Sequence, residues 1–298
     1  MKIAFIGLGV MGRGMAMNMV AKSGAEITVF DVNDAQYPHF IEKGAKTAAS
    51  VAETAAADII FLSLPNSEIV ENVICGQLLA HLQEGQTVVD LSTITYNTTV
   101  AIGQRLADRG VDFLDAPVSG MESRANDGTL TVMCGGSEAV FEKVKPYLCC
   151  IGSKVLFMGP LGSGQLTKLI NQLLFDINAA AVAEILPMAV KMGLDSAKVG
   201  QVVNSGTGRS YASEFFIPRI LKRNFSEGYL MKHAYKDLIS AAELGAHRGI
   251  PMPVLAAATA TYQTALLRGY GDCDKGGMIQ VFEDLLDVKY QEEVCLHG

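Results

Sequence analysis

The chain has 298 residues, 49% hydrophobic and 18% charged, with 24 Lys and Arg against 31 Asp and Glu for a net charge of −7. That apolar content fills one large core or two ordinary ones and excludes a disordered or low-complexity chain. No lysine/arginine run occurs, which argues against nucleic acid and anionic membranes as partners.

Cys75, Cys134, Cys149, Cys150, Cys273 and Cys295 include no CxxC pair and no zinc-spaced cluster. Free thiols in a reducing cytosol, and no metal site, are therefore expected. The opening MKIAFIGLG has one basic residue and an apolar run too short for a signal peptide. No run of 18 uninterrupted apolar residues is present, so no membrane span and a cytoplasmic protein are expected.

In chain order, β-rich runs fall at 2–7, 26–31, 58–65, 86–92, 112–117, 130–136 and 154–159, with Ala-rich helical segments between most of them. Continuous apolar runs that alternate with helices predict a doubly wound, mostly parallel α/β sheet of Rossmann type. After Gly162 the strand pattern stops, and helical patterns fill 164–192, 195–204, 211–222, 232–247, 252–268 and 275–288. Pro187 is expected to break the first of these near Leu186. The division is thus a Rossmann domain over 1–162 and an all-α domain over 163–298, with helix 164–192 joining them.

Directly after the first strand stands Gly7-Leu8-Gly9-Val10-Met11-Gly12, a G-x-G-x-x-G that opens a helix. The first glycine permits a tight turn, the second admits a pyrophosphate, and the third lets helix and strand approach. The second strand ends at Asp31, 19 residues after Gly12. A carboxylate there accepts hydrogen bonds from ribose hydroxyls and repels a 2′-phosphate, and the following VNDAQY contains no arginine. NAD is favoured over NADP as cofactor.

The stretch GSGQLTKLINQ (162–172) sets Lys168 one turn inside a helix, the end that the helix dipole makes unfavourable for a cation. On a wheel of about 100° per residue, Asn171, Gln172, Phe175 and Asn178 lie within roughly 80° of Lys168. Leu166, Leu169, Ile170, Leu173, Leu174 and Ile177 cluster opposite and are expected to face the core. The polar stripe fits either a solvated face or a lysine whose pKa is lowered for acid/base work.

IGLGVMGRGMAMN (6–18), DAPVSG (115–120) with GTL (128–130), GSGQLTKLINQ and KDL (236–238) together resemble the β-hydroxyacid dehydrogenase family, best known for 3-hydroxyisobutyrate dehydrogenase. The resemblance runs from residue 3 to about 290. It implies an NAD(P)-dependent oxidoreductase that interconverts a small 3-hydroxy acid and the corresponding semialdehyde, such as hydroxyisobutyrate, succinic or tartronate semialdehyde. Lys168 would be the catalytic acid/base, with Asn171 placing the substrate. Ser119 and Gly120 would bind its carboxylate, and Lys236 would sit near both nicotinamide and acid, with Asp237 as a structural neighbour. Leu64, Pro65 and Asn66 after the third strand, and Thr93 after the fourth, would flank the cofactor. A homodimer or homotetramer with a small carboxylic acid substrate is implied. A non-catalytic dinucleotide-binding module on the same fold is the rival reading, opposed by the joint presence of Lys168, Asn171 and Ser119.

Three positions depart from the family pattern: Met121 stands where a second glycine is usual, Arg124 follows in the same loop, and Tyr96 replaces a frequent proline. Met121 would narrow the pocket wall, and Arg124 would face solvent or an anionic group. Arg209 and Tyr211, in a loop rich in glycine and aromatics, fit either substrate contact or surface packing, and His233 reads as structural.

Overall fold

Runs such as Ile59–Leu62 and Thr87–Asp90 are buried along their whole length, as strands covered by helices on both faces must be. In the computed structural model, which describes residues 1–292, the chain divides into one unit of Met1–Lys168 and a second that begins at Leu169. The division falls inside a helix, six residues beyond the 162 expected from the sequence (168 − 162).

The first unit carries β1 (Lys2–Ile6), β2 (Glu26–Phe30), β3 (Lys46–Thr47), β4 (Ile59–Leu62), β5 (Thr87–Asp90), β6 (Asp112–Asp115), β7 (Val118–Ser119), β8 (Leu130–Gly136) and β9 (Gly152–Gly159). Between them run α1 (Val10–Lys22), α2 (Tyr37–Glu42), α3 (Val51–Thr54), α4 (Ser67–Glu71), α5 (Tyr96–Ala107), α6 (Met121–Asp127) and α7 (Glu138–Leu148). The strands line up as β3-β2-β1-β4-β5-β6-β8-β7, with β9 also on β8. All pairs from β3 to β6 are parallel; β8 runs antiparallel to β6 and β7 and parallel to β9. The mostly parallel sheet expected from the sequence is present, and the two strands it did not announce, β3 and β7, are two residues each. Pieces that short have no periodicity to detect.

Alternation of side chains across the sheet divides the core of this unit into two layers. Ile3, Phe5, Ile59 and Phe61 face one layer, joined by Met15 and Met19 of α1, and Phe5 stacks on Phe61 at 6.3 Å between ring centroids. Ala4, Ile6, Ile60 and Leu62 face the other, with Val88, Ile102 and Leu106. The order reverses at β1, whose neighbours are β2 and β4, so the glycine turn after β1 stands at the topological switch point.

Helix α8 (Ser163–Ile185) starts in the first unit and continues into the second, where α9 (Pro187–Lys191), α10 (Ser196–Ser205), α11 (Tyr211–Leu221), α12 (Met231–Arg248), α13 (Pro253–Leu267) and α14 (Ile279–Leu286) follow. The break foreseen at Pro187 is there: α8 ends at Ile185 and α9 has proline in its first turn. Ala179, Ala180, Ala183 and Leu186 pack against Phe216, Ile220, Leu238 and Tyr262 in the core of the second unit.

The buried face of α8 differs from the wheel. Ile170 and Leu174 are 60% and 59% exposed, whereas Asp176 is fully buried. Apolar residues surround this helix, so hydrophobicity alone does not select its core face. Asp176 pairs with Lys275, itself 1% exposed, and the Lys275 ammonium lies 4.2 Å from the centroid of the Phe175 ring. By length and composition the segment Ser163–Lys191, of mean hydropathy 1.7, is long and apolar enough to cross a membrane. The sequence expectation rested on an uninterrupted apolar run, which Asp176 and the amides of this helix break. Its alanine face and its ion pair are built into the core of the second unit, as in an apolar core helix.

Cys75, Cys134, Cys149, Cys150 and Cys273 are free thiols, and Cys295 lies outside the described residues. Lys275→Met should destabilise the protein by about 3–5 kcal/mol, because Asp176 would be left charged in the core. Denaturant unfolding of K275M beside the double variant D176L/K275M measures this, with the double variant expected to recover much of the loss.

Candidate active site

At the end of β1 the chain turns at Gly7, with φ +97°, into α1. A Cβ on Gly12 would stand 1.9 Å from the Gly7 carbonyl oxygen, so only glycine lets α1 start this close to the strand. A Cβ on Gly9 would meet nothing within 4 Å, and no side chain caps α1. The first-turn amides of a 13-residue helix thus face open space behind a residue with no side chain, the arrangement that accepts a phosphate group. Of the other turn residues, Leu8 is buried, Val10 is 65% exposed and Met11 packs against the core.

Asp31 stands one residue beyond β2 and is fixed on both carboxylate oxygens. Its Oδ2 accepts from the Leu8 amide at 2.5 Å and its Oδ1 from the Asn33 amide at 2.8 Å. A cavity of about 270 Å³ adjoins it, lined by Leu8, Gly9, Val10, Asp31, Asn33 and Gln36 together with Arg13 and Glu122. Arg13 is the residue that reading the segment after Asp31 did not find. It reaches the cavity from α1, one residue past Gly12, and lies 3.4 Å from Glu122. These features fit a dinucleotide whose ribose sits against Asp31.

The loops after β4, β5 and β6 are joined by a buried hydrogen-bond chain. The Leu64 amide donates to Ser92 Oγ at 2.8 Å, and the Ser92 amide to Asp90 Oδ1 at 3.0 Å. Gln165, in the first turn of α8, donates from Nε2 to the Ser92 carbonyl at 2.8 Å and accepts from the Ile94 amide at 3.2 Å. Asp115, at the end of β6, accepts from the Gly162 amide at 2.7 Å and the Gln165 amide at 2.8 Å. Lys168 is half-buried, three residues after Gln165 and so on the same side of α8. Asp90, Asp115 and Gln165 were not singled out from the sequence; the signal was GSGQ following DAPVSG, read for its lysine rather than its glutamine.

Of the expected cofactor contacts in these loops, Pro65, Asn66 and Thr93 are exposed and Leu64 is half-buried. Asn66 caps α4, its Oδ1 accepting from the Ile69 amide at 2.9 Å, which leaves its amide protons available. Asp90 is fully buried with Oδ2 unpartnered. Burial pushes its pKa up to about 7; the Ser92 hydrogen bonds oppose the rise and neighbouring Asp115 adds to it.

The substrate-loop residues fall on β7 and the start of α6. Ser119 ends β7, and Gly120 (φ +146°) and Met121 (φ +62°) carry the chain into α6. Met121 thus occupies, at about 1 kcal/mol of strain, a left-handed conformation that glycine takes freely. The usual second glycine of the family suits this backbone, and Met121 replaces it with a side chain that is 45% exposed. Arg124 donates to the Thr129 carbonyl, securing the loop between α6 and β8.

In the second unit, Gln172 Nε2 donates to Asp237 Oδ2 at 3.1 Å, tying the Asn171-Gln172 pair of α8 to the Lys236-Asp237 pair of α12. Asn171 and Lys236 are exposed beside this link. Gln172, assigned no role from the sequence, is the residue that registers the two helices. Tyr211 meets the Phe175 ring edge-on at 5.5 Å, while Arg209 is exposed and lies 3.5 Å from Glu214. His233 is exposed against Tyr229.

The titration of Asp90 has a stability consequence. With a folded pKa of about 7 against an ordinary 3.8, the folded state binds the extra proton between those values. Stability from this group is therefore full below about pH 4, falls as pH rises toward 7, and is flat above. Melting temperature measured from pH 4 to 7 should decline in the wild type and decline less in Asp90→Asn.

Comparison with known proteins places these features in context. Residues 2–159 match the model described as the NAD-binding domain of 6-phosphogluconate dehydrogenase. Residues 162–282 match that described as NAD-binding of NADP-dependent 3-hydroxyisobutyrate dehydrogenase. The chain is 38% identical to 2-(hydroxymethyl)glutarate dehydrogenase of Eubacterium barkeri, over 96% of each protein. It is 36% identical to 2-hydroxy-3-oxopropionate reductase of Escherichia coli, over 95% of this chain and 97% of that one. Among solved structures, Mycobacterium tuberculosis 3-hydroxyisobutyrate dehydrogenase with L-serine is similar at a TM-score of 0.83 and 28% identity, covering 94% of this chain and 98% of that one.

Proposed function

The chain belongs to the β-hydroxyacid dehydrogenase family, that of 3-hydroxyisobutyrate dehydrogenase, and on that premise we propose that Lys168 is the acid/base of its reaction. The protein is an NAD(P)-dependent oxidoreductase that interconverts a small 3-hydroxy acid and the corresponding semialdehyde. The compounds named for its relatives, 2-(hydroxymethyl)glutarate, 2-hydroxy-3-oxopropionate and 3-hydroxyisobutyrate, share a carboxylate with an alcohol or aldehyde two carbons away. We take that fragment as the part of the substrate this protein handles.

When bound, the nicotinamide cofactor supplies or accepts the hydride. The residues of the chain do the rest. In reduction the Lys168 ammonium donates a proton to the carbonyl oxygen; in oxidation its neutral amine takes the hydroxyl proton. The Ser119 hydroxyl and the Gly120 amide hold the carboxylate, Met121 forms a wall, and Asn171 and Lys236 orient the acid. Gly7 to Gly12 and the α1 amides receive the pyrophosphate, with Leu64, Pro65, Asn66 and Thr93 beside the nicotinamide half and Lys236 near its ring. The single observation that carries this reading is the buried chain from Leu64 through Ser92 to Gln165, which ties the helix of Lys168 to the loops assigned to the cofactor.

NAD is the preferred cofactor in this proposal. Asp31 and Glu122 both border the cavity and repel a 2′-phosphate, while Arg13 is engaged by Glu122. Exposed apolar side chains along α8 and α9, among them Ile170, Leu174, Ile185 and Met188, support assembly as a homodimer or homotetramer. A cytoplasmic location completes the reading.

Lys168→Ala should lower kcat by about 10²–10⁴-fold with NADH affinity nearly unchanged by fluorescence titration. Undiminished turnover would remove Lys168 from the mechanism. Steady-state kinetics over hydroxyisobutyrate, tartronate semialdehyde and succinic semialdehyde should give a kcat/KM about tenfold or more higher with the NAD couple than with the NADP couple. A preference for NADP would overturn the reading of Asp31.

A further inference from the structure

Asp115 is fully buried at the end of β6, yet it has no cationic partner within salt-bridge distance among the described residues. Its partners are backbone amides at the start of α8: Gly162 on Oδ1, Gln165 on Oδ2, and Gly164 in addition. A strand from the sheet therefore supplies the capping anion for a helix that begins 48 residues later (163 − 115). The surrounding glycines exist to admit it. A Cβ on Gly164 would fall 2.8 Å from Asp115 Oδ2 and 2.3 Å from the Met133 carbonyl oxygen, and a Cβ on Gly135 would fall 2.5 Å from Asp115 Oδ1. The glycine spacing of GSGQ, ahead of Lys168, is thus explained by the carboxylate behind it.

We infer that Asp115 is the positioning residue for Lys168: its carboxylate holds the first turn of α8 on the sheet and supplies the negative field in which Lys168 keeps its proton. The inference rests on the reading of Lys168 as acid/base and changes one part of its physics. A helix N-terminus alone disfavours an ammonium. A buried carboxylate on that same terminus opposes the dipole, so Lys168 remains a cation able to donate in the reduction direction. Around Asp115 stand the following titratable groups. Asp90 is the register partner of Asp115 on β5, and Cys134 lies on β8, its thiol pushed up to about 12 by burial first and by Asp115 second. From α7, Lys143 reaches Asp112 at the opposite end of β6, and from α5 the Tyr96 ring lies against Gly162. Burial raises the Asp115 carboxyl itself, and the Gly162, Gln165 and Gly164 amides pull it back toward the charged form.

The test is a direct titration of Lys168 in the full-length protein. Lysines are reductively methylated with ¹³C-formaldehyde, and the Lys168 resonance is assigned by its loss in Lys168→Arg. In Asp115→Asn the titration midpoint should fall by about one pH unit, the ordinary size of a shift caused by one nearby charge. In Ser163→Asp, which adds an anion at the same helix start and leaves Asp115 in place, the midpoint should rise. An unmoved midpoint in folded Asp115→Asn overturns the inference; if that variant does not fold, an unmoved midpoint in Ser163→Asp overturns it. Because the midpoint is read without turnover, it fails separately from the acid/base role, which the Lys168→Ala kinetics decide.

Discussion

A parallel sheet covered by helices on both faces has no wet side, and this constraint arranges everything else in the first unit. Strands such as Ile59–Leu62 and Thr87–Asp90 bury every residue, so polar groups gather where the strands end. Asp31 follows β2, Leu64 follows β4, Asp90 closes β5, Asp115 closes β6 and Ser119 closes β7. Each of the parallel strands ends on the same side of the sheet, and the fold therefore collects the dinucleotide turn, the capping carboxylate and the start of the lysine helix at one edge.

The buried charges of the protein follow three different solutions to the same cost. Asp115 is solvated by amides, so its charge is met by dipoles. Asp90 is met by Ser92 and keeps one oxygen unpartnered, and its pKa rises until the proton satisfies it near neutrality. In the second unit Asp176 meets Lys275, and Glu283, fully buried, takes both Arg223 nitrogens at 2.6 and 2.9 Å. The ion pairs stand in a helical core with long side chains at hand. Where the sheet meets α8, glycines clear the space instead, and backbone donors do the solvating.

The substrate loop shows how a departure from the family pattern is absorbed. Met121 holds a left-handed backbone that glycine would take freely, and the loop is kept in place by Arg124 on the Thr129 carbonyl. The arginine that the sequence left facing either solvent or an anionic group clamps the loop through the Thr129 carbonyl. The methionine that it flagged as a wall is a side chain raised on a strained backbone, a distinction that only φ reveals.

The sequence by itself determined the architecture and the dinucleotide-binding character of the first unit. Apolar runs broken by helices announced the parallel sheet, GLGVMG and Asp31 announced the dinucleotide end, and Pro187 announced the break after α8, because each is a local signal read within a few residues. The face of α8 was not local: with apolar residues all round, the choice of Asp176 over Ile170 for the interior was made by Lys275, 99 residues away (275 − 176). The same holds for Arg13 on the cavity that Asp31 lines, for Gln172 on Asp237, and for Asp115 on the Gly162 and Gln165 amides. Hydrogen bonds between residues far apart in the chain leave no periodicity behind, so tertiary structure alone decided which polar groups hold the start of the lysine helix.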